Sequence, residues 1–305
     1  MKYLNIIFAG NSNFSLANLK ILIKRKYIIK LIVTKNKKIY LKEKNEKINK
    51  IKFITFNEDK IIKEIKKKSI NLIIIVDFAT IIPKSILNIV KFGCINIHCS
   101  LLPKCRGPSP IQCTIINEYK YFGFTIIKIN EKIDEGDIIF RKKYLMKKKY
   151  NSLNIYNKLI KSVPNFLSKI INKIKNNKIK YIKQNNNKAT YSKKIKKSES
   201  KINWNSKAKN IIKKIKAFSL YPTSFFFSNK KRIKVWNAKI KKNNKKNKIK
   251  FIPGEIINIK KYLFVATKDD IICFDKVQIE SRKKMEIKDI QNSNKKIFKI
   301  GHILK

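Results

Sequence analysis

Within the first 145 residues, short runs rich in Ile, Val, Leu and Phe recur at intervals filled by helical patterns. The apolar runs cover residues 3–9, 28–34, 72–76 and 94–98, with helices expected near 15–24 and 59–68. Strands with one wet face alternate apolar and polar residues, and these runs do not. Continuous β-branched runs separated by helices are the pattern of parallel strands buried on both faces. The expectation is an α/β domain built on a Rossmann-like sheet. A helix over 110–117, strands over 122–129 and 138–144, and a basic amphipathic helix over 153–175 complete it. Pro164 is expected to interrupt that last helix, because proline has no amide to donate.

Residues 182–201 are mostly Lys, Asn, Ser and Gln without periodicity, which reads as a linker. Beyond it lie one helix, 208–217, and short strands over 223–227, 233–240, 249–257, 262–266, 270–274 and 277–280. Many short strands with little helix predict a small OB-like β-barrel. The predicted organisation is therefore 1–181 as a Rossmann-like domain, 182–203 as linker and 204–305 as barrel. A chain of 305 residues is long enough to bury two cores.

The 74 Lys and Arg against 19 Asp and Glu, a formal +55, would attract a phosphate backbone. Lys, Ile and Asn dominate the whole chain, however, and lysine runs on a solvated face account equally well for much of the charge. The run at 3–9 has no basic segment before it, and no stretch of 18 apolar residues occurs, so a cytoplasmic protein is expected. Four of the five cysteines crowd into residues 94–113 without a CxxC pair, and reduced thiols are expected. His98 and Cys99 are adjacent on a strand and face opposite ways, so no metal site is expected there.

The chemically informative stretch is 93–112, GCINIHCSLLPKCRGPSPIQ, followed by 133–137, IDEGD. Asn96 and His98 lie two apart at the end of a buried strand and share a face at its carboxyl end, where open α/β sheets bind ligands. Acyl transfer to an amine needs a donor for the oxyanion and a group to manage the proton that the amine loses. Asn96 offers an amide, His98 a titratable ring, and Asp134, in a D-x-G turn, a carboxylate to orient that ring. The only other histidine, His302, lies in the basic tail.

The pattern N-x-H-x-S-L-L-P-x-x-R-G-x-x-P-I-Q with its later D-x-G resembles the folate-dependent formyltransferase family, and most closely its branch acting on initiator methionyl-tRNA. The resemblance implies catalytic roles for Asn96, His98 and Asp134, and contact with the tetrahydrofolate moiety by Ser100, Leu101, Leu102 and Pro103. It implies 10-formyltetrahydrofolate as donor, initiator methionyl-tRNA as acceptor, direct attack through a tetrahedral intermediate, no metal, and a monomer. It continues through IIFAG (6–10), IIPK (81–84), ATY (189–191), KINW (201–204), IKAF (215–218), IKVWNA (233–238) and PGEI (253–256). Two departures stand out. Phe78 and Ala79 replace the family's Tyr-Gly pair, and the loop 35–47 has lysines where relatives carry Arg, Gly and Pro. Lysine neutralises phosphate but lacks the planar bidentate fork.

Trp204, Trp236 and Phe225 to Phe227 are expected in the barrel core rather than stacked on bases. Lys230, Lys231 and Arg232 suit either phosphate contact or a solvated turn. Rival readings are formyl transfer to a small amine, which would not need residues 204–305, and a basic RNA-binding protein without catalysis.

Overall fold

The computed structural model describes residues 4–41, 52–242, 251–292 and 297–305. Residues 42–47 of the lysine-rich loop and the start of the strand expected at 249–257 lie outside them. The chain divides into two compact units. The first comprises residues 1–114, 119–146 and 155–193, and the second residues 115–118, 147–154 and 194–305.

The first unit is built on a seven-stranded sheet: β1 (Asn5–Gly10), β2 (Ile28–Val33), β3 (Lys52–Ile54), β4 (Leu72–Val76), β5 (Cys94–His98), β6 (Tyr121–Lys128) and β7 (Ile138–Leu145). Its order is β3-β2-β1-β4-β5-β6-β7. Strands β1 to β5 are parallel, whereas β6 runs antiparallel to β5, and β7 to β6. The fold is thus mixed α/β with a mainly parallel sheet. The apolar runs explain it: every residue of β4, LIIIV, is buried, as a strand covered on both faces requires.

Helices α1 (Asn13–Lys24), α2 (Lys37–Leu41), α3 (Glu58–Lys67), α4 (Lys84–Ile89), α5 (Pro110–Ile116) and α6 (Ser152–Lys175) belong to the chain up to residue 175. Ser12 caps α1 by accepting from the Ser15 amide, and Ser15 returns the bond, a reciprocal capping box. Asn57 caps α3, whose first turn is acidic and last turn basic, in keeping with the helix dipole. Ile61 and Ile65 of α3 and Ile86 of α4 pack with Ile7, Ile73 and Ile75 in one buried cluster. Helix α6 is continuous through Pro164, against the expected interruption. Its buried stripe of Ile155, Leu159, Val163, Leu167, Ile171 and Ile174 holds the helix together by packing where a backbone bond is missing.

The second unit holds helix α7 (Ala208–Phe218) and two four-stranded sheets. One contains β8 (Ser224–Ser228), β9 (Lys231–Val235), β14 (Lys276–Ile279) and β15 (Lys284–Glu286); the other β10 (Lys239–Lys241), β11 (Ile256–Ile259), β12 (Leu263–Ala266) and β13 (Ile271–Phe274). All their pairings are antiparallel. Both sheets feed one core, with Phe226 and Val235 from the first beside Leu263 and Phe274 from the second. Trp204 joins that core edge-on to Phe226 and Phe274. Trp236 does not: it is half-buried beneath the Lys284 ammonium, 3.7 Å from its ring centre. Among the described residues no helix is long and apolar enough to cross a membrane.

Candidate active site

Strand β5 delivers Asn96 and His98 on one face, the first half-buried and the second 6% exposed. The β6–β7 connection begins level with the amino end of β5, where the Ile129 amide bonds the Cys94 carbonyl. It then returns over the strand so that Asp134 meets both side chains. Asn96 Nδ2 donates to Asp134 Oδ1 at 3.3 Å, and His98 Nδ1 lies 3.4 Å from Asp134 Oδ2. The three residues named from sequence therefore converge, although they are separated by 38 positions.

The turn that makes this possible is sterically demanding. Asp134 adopts φ of 55°, left-handed for a residue with a Cβ. Gly136, next but one, sits so close to the backbone that an added Cβ would be 1.7 Å from the Lys128 oxygen. Only glycine fits, which is the physical content of D-x-G here.

His98 is held on its other side as well. Its Nε2 lies 2.8 Å from the Cys105 carbonyl oxygen, which can only accept, so Nε2 carries a proton. Both ring nitrogens thus face oxygens, a carbonyl and a carboxylate. The Gly107 amide, at φ 101°, donates to Asp134 Oδ2 at 2.8 Å. The carboxylate accordingly receives a backbone donor and a side-chain amide while facing the imidazole.

The loop Ser100 to Pro103 follows directly, with a cis Leu102–Pro103 bond. Its polar groups are largely engaged within the protein. Thr125 Oγ1 donates to Ser100 O and accepts from Leu102 N, Arg141 Nη1 donates to Leu102 O, and Ser100 Oγ donates to Lys104 O. Leu102 is fully buried, while Leu101 and Pro103 are partly open. Apolar surface is what the loop offers a ligand. Beside it opens a cavity of about 670 Å³ bordered by Ser100, Leu101 and Pro103 and by Lys104, Lys120, Arg141, Lys143 and Lys188. Among the described residues none of these five cations has a carboxylate partner.

Cys105 and Cys113 correct the expectation of reduced thiols: a disulfide joins them, because the turn into α5 brings their Cα atoms to 5.9 Å, within bridging range. Cys94 and Cys99 are free, and burial pushes the Cys94 thiol up to about 12. In the second unit, Lys230 lies in a left-handed turn and Arg232 stacks on Phe225, 3.7 Å from the ring centre.

Arg106 stands in the N-x-H to R-G pattern, but nothing in that pattern gives it a place in the interior. It is 1% exposed and uses its guanidinium on Glu135, Gln184, Asn186 and Tyr191. Gln184 was hidden in a polar run without periodicity. Nothing short of the fold pairs these two residues.

Residues 1–171 match the family model described as formyl transferase, and residues 194–295 that described as formyl transferase, C-terminal domain. The chain is 34% identical to the methionyl-tRNA formyltransferase of Wigglesworthia glossinidia brevipalpis, over 99% of this chain and 98% of that protein. It is 36% identical to that of Buchnera aphidicola subsp. Baizongia pistaciae, over 96% and 94% respectively. Among solved structures, methionyl-tRNA formyltransferase from Clostridium thermocellum aligns with TM-score 0.58 at 21% identity, covering 90% of this chain and 98% of that one. HypX from Aquifex aeolicus in complex with tetrahydrofolic acid aligns with TM-score 0.68 at 15% identity, covering 95% of this chain and 47% of that one. These two likenesses concern the fold. Matched by family models along both of its parts, and by curated relatives over nearly its whole length, the chain belongs to the formyl transferase family.

Proposed function

We propose that the chain transfers the formyl group of 10-formyltetrahydrofolate to the α-amine of initiator methionyl-tRNA, as a cytoplasmic monomer. The observation that carries this reading is the convergence of Asn96, His98 and Asp134 on one face of β5. The full-length likeness to methionyl-tRNA formyltransferases supports the choice of acceptor.

The donor supplies an activated formyl carbon. The half-open Leu101 and Pro103 suit an apolar ring system of the folate kind, and the five cations beside them suit an anionic portion of a substrate. Asn96 spends one N–H on Asp134 and retains a second for an oxyanion, a contribution of about 3–4 kcal/mol for one such donor. His98, with Nε2 donating to a carbonyl and Nδ1 facing Asp134, is held beside that oxyanion. Asp134 fixes the ring, and the His98–Asp134 pair takes the proton lost by the attacking amine. As the tetrahedral intermediate collapses, the formyl carbon's bond to the folate nitrogen breaks and that nitrogen leaves with the proton as tetrahydrofolate.

Residues 1–181 are assigned to formyl transfer, 182–203 to the connection and 204–305 to an OB-like barrel that grips the tRNA. The core shared by the two antiparallel sheets supports the barrel reading.

The test is transfer of radiolabelled formyl to purified initiator methionyl-tRNA, with the elongator species for comparison. Formylation of the initiator alone is expected. Binding of tRNA without transfer would overturn the catalytic reading. Undiminished formylation of small amines after removal of 204–305, with no acceptance of tRNA by the full chain, would overturn the acceptor.

A further inference from the structure

A single side-chain amide joins the buried arginine to the turn that carries the site's carboxylate. Gln184 Oε1 accepts from Arg106 Nε at 3.2 Å and Nη2 at 2.9 Å. Gln184 Nε2 donates to Asp134 O and to Gly136 O, both at 2.8 Å. The arginine is itself fixed by Asn186 Oδ1 at 2.7 Å and by Glu135 Oε1 at 3.1 Å, the residue between those two carbonyls. Its backbone pairs with the 190–192 stretch, the Arg106 amide bonding Thr190 O at 2.9 Å and the Ser192 amide bonding Arg106 O at 2.7 Å. The next residue, Gly107, supplies the amide that holds Asp134 Oδ2.

We infer that Gln184 and Arg106 are positioning residues for Asp134, so that the stretch after α6 sets the geometry of the active site. The physical argument is one of donor count. The left-handed turn at Asp134 points two carbonyls, Asp134 O and Gly136 O, at one place, and a primary amide supplies two N–H groups from one atom. The remaining amide oxygen must then be paired, and a guanidinium fork satisfies it twice. No other neutral side chain of this length offers both ends. A carboxylate at position 184 would keep the arginine but set oxygen against two carbonyls.

The inference rests on Asp134 being a catalytic residue, and the experiment separates the two. Gln184→Glu, Gln184→Leu, Asp134→Asn and the double variant Asp134→Asn/Gln184→Leu are compared for kcat, KM for tRNA and the pH profile of kcat. The ring resonances of His98, one of only two histidines, are followed by NMR. The expected result is a fall in kcat of about 10- to 100-fold for either Gln184 variant, as for other residues that orient a reacting group through a second one. KM for tRNA should stay within about twofold, the acid limb of the profile should move, the His98 resonances should shift, and Gln184→Leu should add nothing in the Asp134→Asn background. If Asp134→Asn abolishes transfer while folded Gln184 variants keep wild-type kcat, pH profile and His98 resonances, the positioning role is wrong. Additive losses in the double variant overturn it too. Full activity in Asp134→Asn would instead remove the catalytic reading itself. Should Gln184→Leu not fold, Gln184→Glu, which preserves the arginine contact, decides.

Discussion

The Gly107 amide donates to the same Asp134 oxygen, Oδ2, that faces His98 Nδ1, at 2.8 and 3.4 Å respectively. With Asn96 on Oδ1, the carboxylate is surrounded by groups that require an acceptor on both of its oxygens. Replacing Asp134 by Asn turns one oxygen into a donor and sets it against a donor. Formyl transfer is expected to fall by about 10²- to 10⁴-fold with tRNA binding retained, measured as kcat and as tRNA affinity.

His98→Ala removes the group that manages the proton, and Asn96→Ala removes the amide donor. Each is expected to reduce kcat by about 10²-fold or more. Single-turnover transfer at saturating tRNA reads this directly, and an unchanged rate in either variant would remove that residue from the mechanism.

Gly136→Ala forces its Cβ to 1.7 Å from the Lys128 oxygen, so the backbone of the turn must shift and carry Asp134 with it. Loss of transfer together with a lower melting temperature is expected. Gly301, whose added Cβ would meet nothing within 4 Å, provides a control: its positive φ, which Gly136 does not share, makes its substitution cost stability without touching kcat in proportion.

Arg106→Ala removes a buried guanidinium and leaves the half-buried Glu135 and Gln184 and the exposed Asn186 without their cation. Because Glu135 keeps access to water, the loss is expected below the ~3–5 kcal/mol of a fully buried pair, and denaturant unfolding measures it. Arg106→Lys should recover only part of that, because an ammonium cannot serve four separated acceptors in one plane.

Tyr40 is fully buried and shares a 2.8 Å hydrogen bond with Ser15. Burial is the main cause that raises its phenol from 10.0 to about 12. A folded value above the unfolded one means that the contribution is complete below about pH 10 and is lost as the pH rises through 12. Tyr40→Phe should therefore lower stability near neutrality by about 1 kcal/mol and flatten its alkaline decline, read from melting temperature against pH.

Much of this was legible beforehand for a simple reason. Strands such as β4 and β5 are covered on both faces and advertise it by unbroken apolar runs, and Asn96, His98 and Asp134 are residue types with few structural excuses in such places. What escaped notice escaped for physical reasons. Strand β3 is three residues, KFI, too short to display a period. Residues 233–240 read as one strand, yet the chain leaves one sheet after Val235 and enters the other at Lys239, a change of partner with no local signature. The buried Arg106 and the half-buried Gln184 meet across 78 positions, a pairing with no local pattern to announce it. The approach of Cys105 to Cys113 depends on how the chain turns into α5, which their spacing does not reveal.

Pairing of β5 with β6 sets His98 opposite Thr125 and Asn96 opposite Ile127, and Thr125 in turn ties down the Ser100–Leu102 backbone. Side chains alternate along a strand, so a slip of one residue would turn Asn96 and His98 to the opposite face while leaving helix content and most of the apolar burial intact. Circular dichroism would scarcely distinguish such a chain from the native one. Specific activity would, which makes turnover the stricter gauge of correct folding in any refolded preparation.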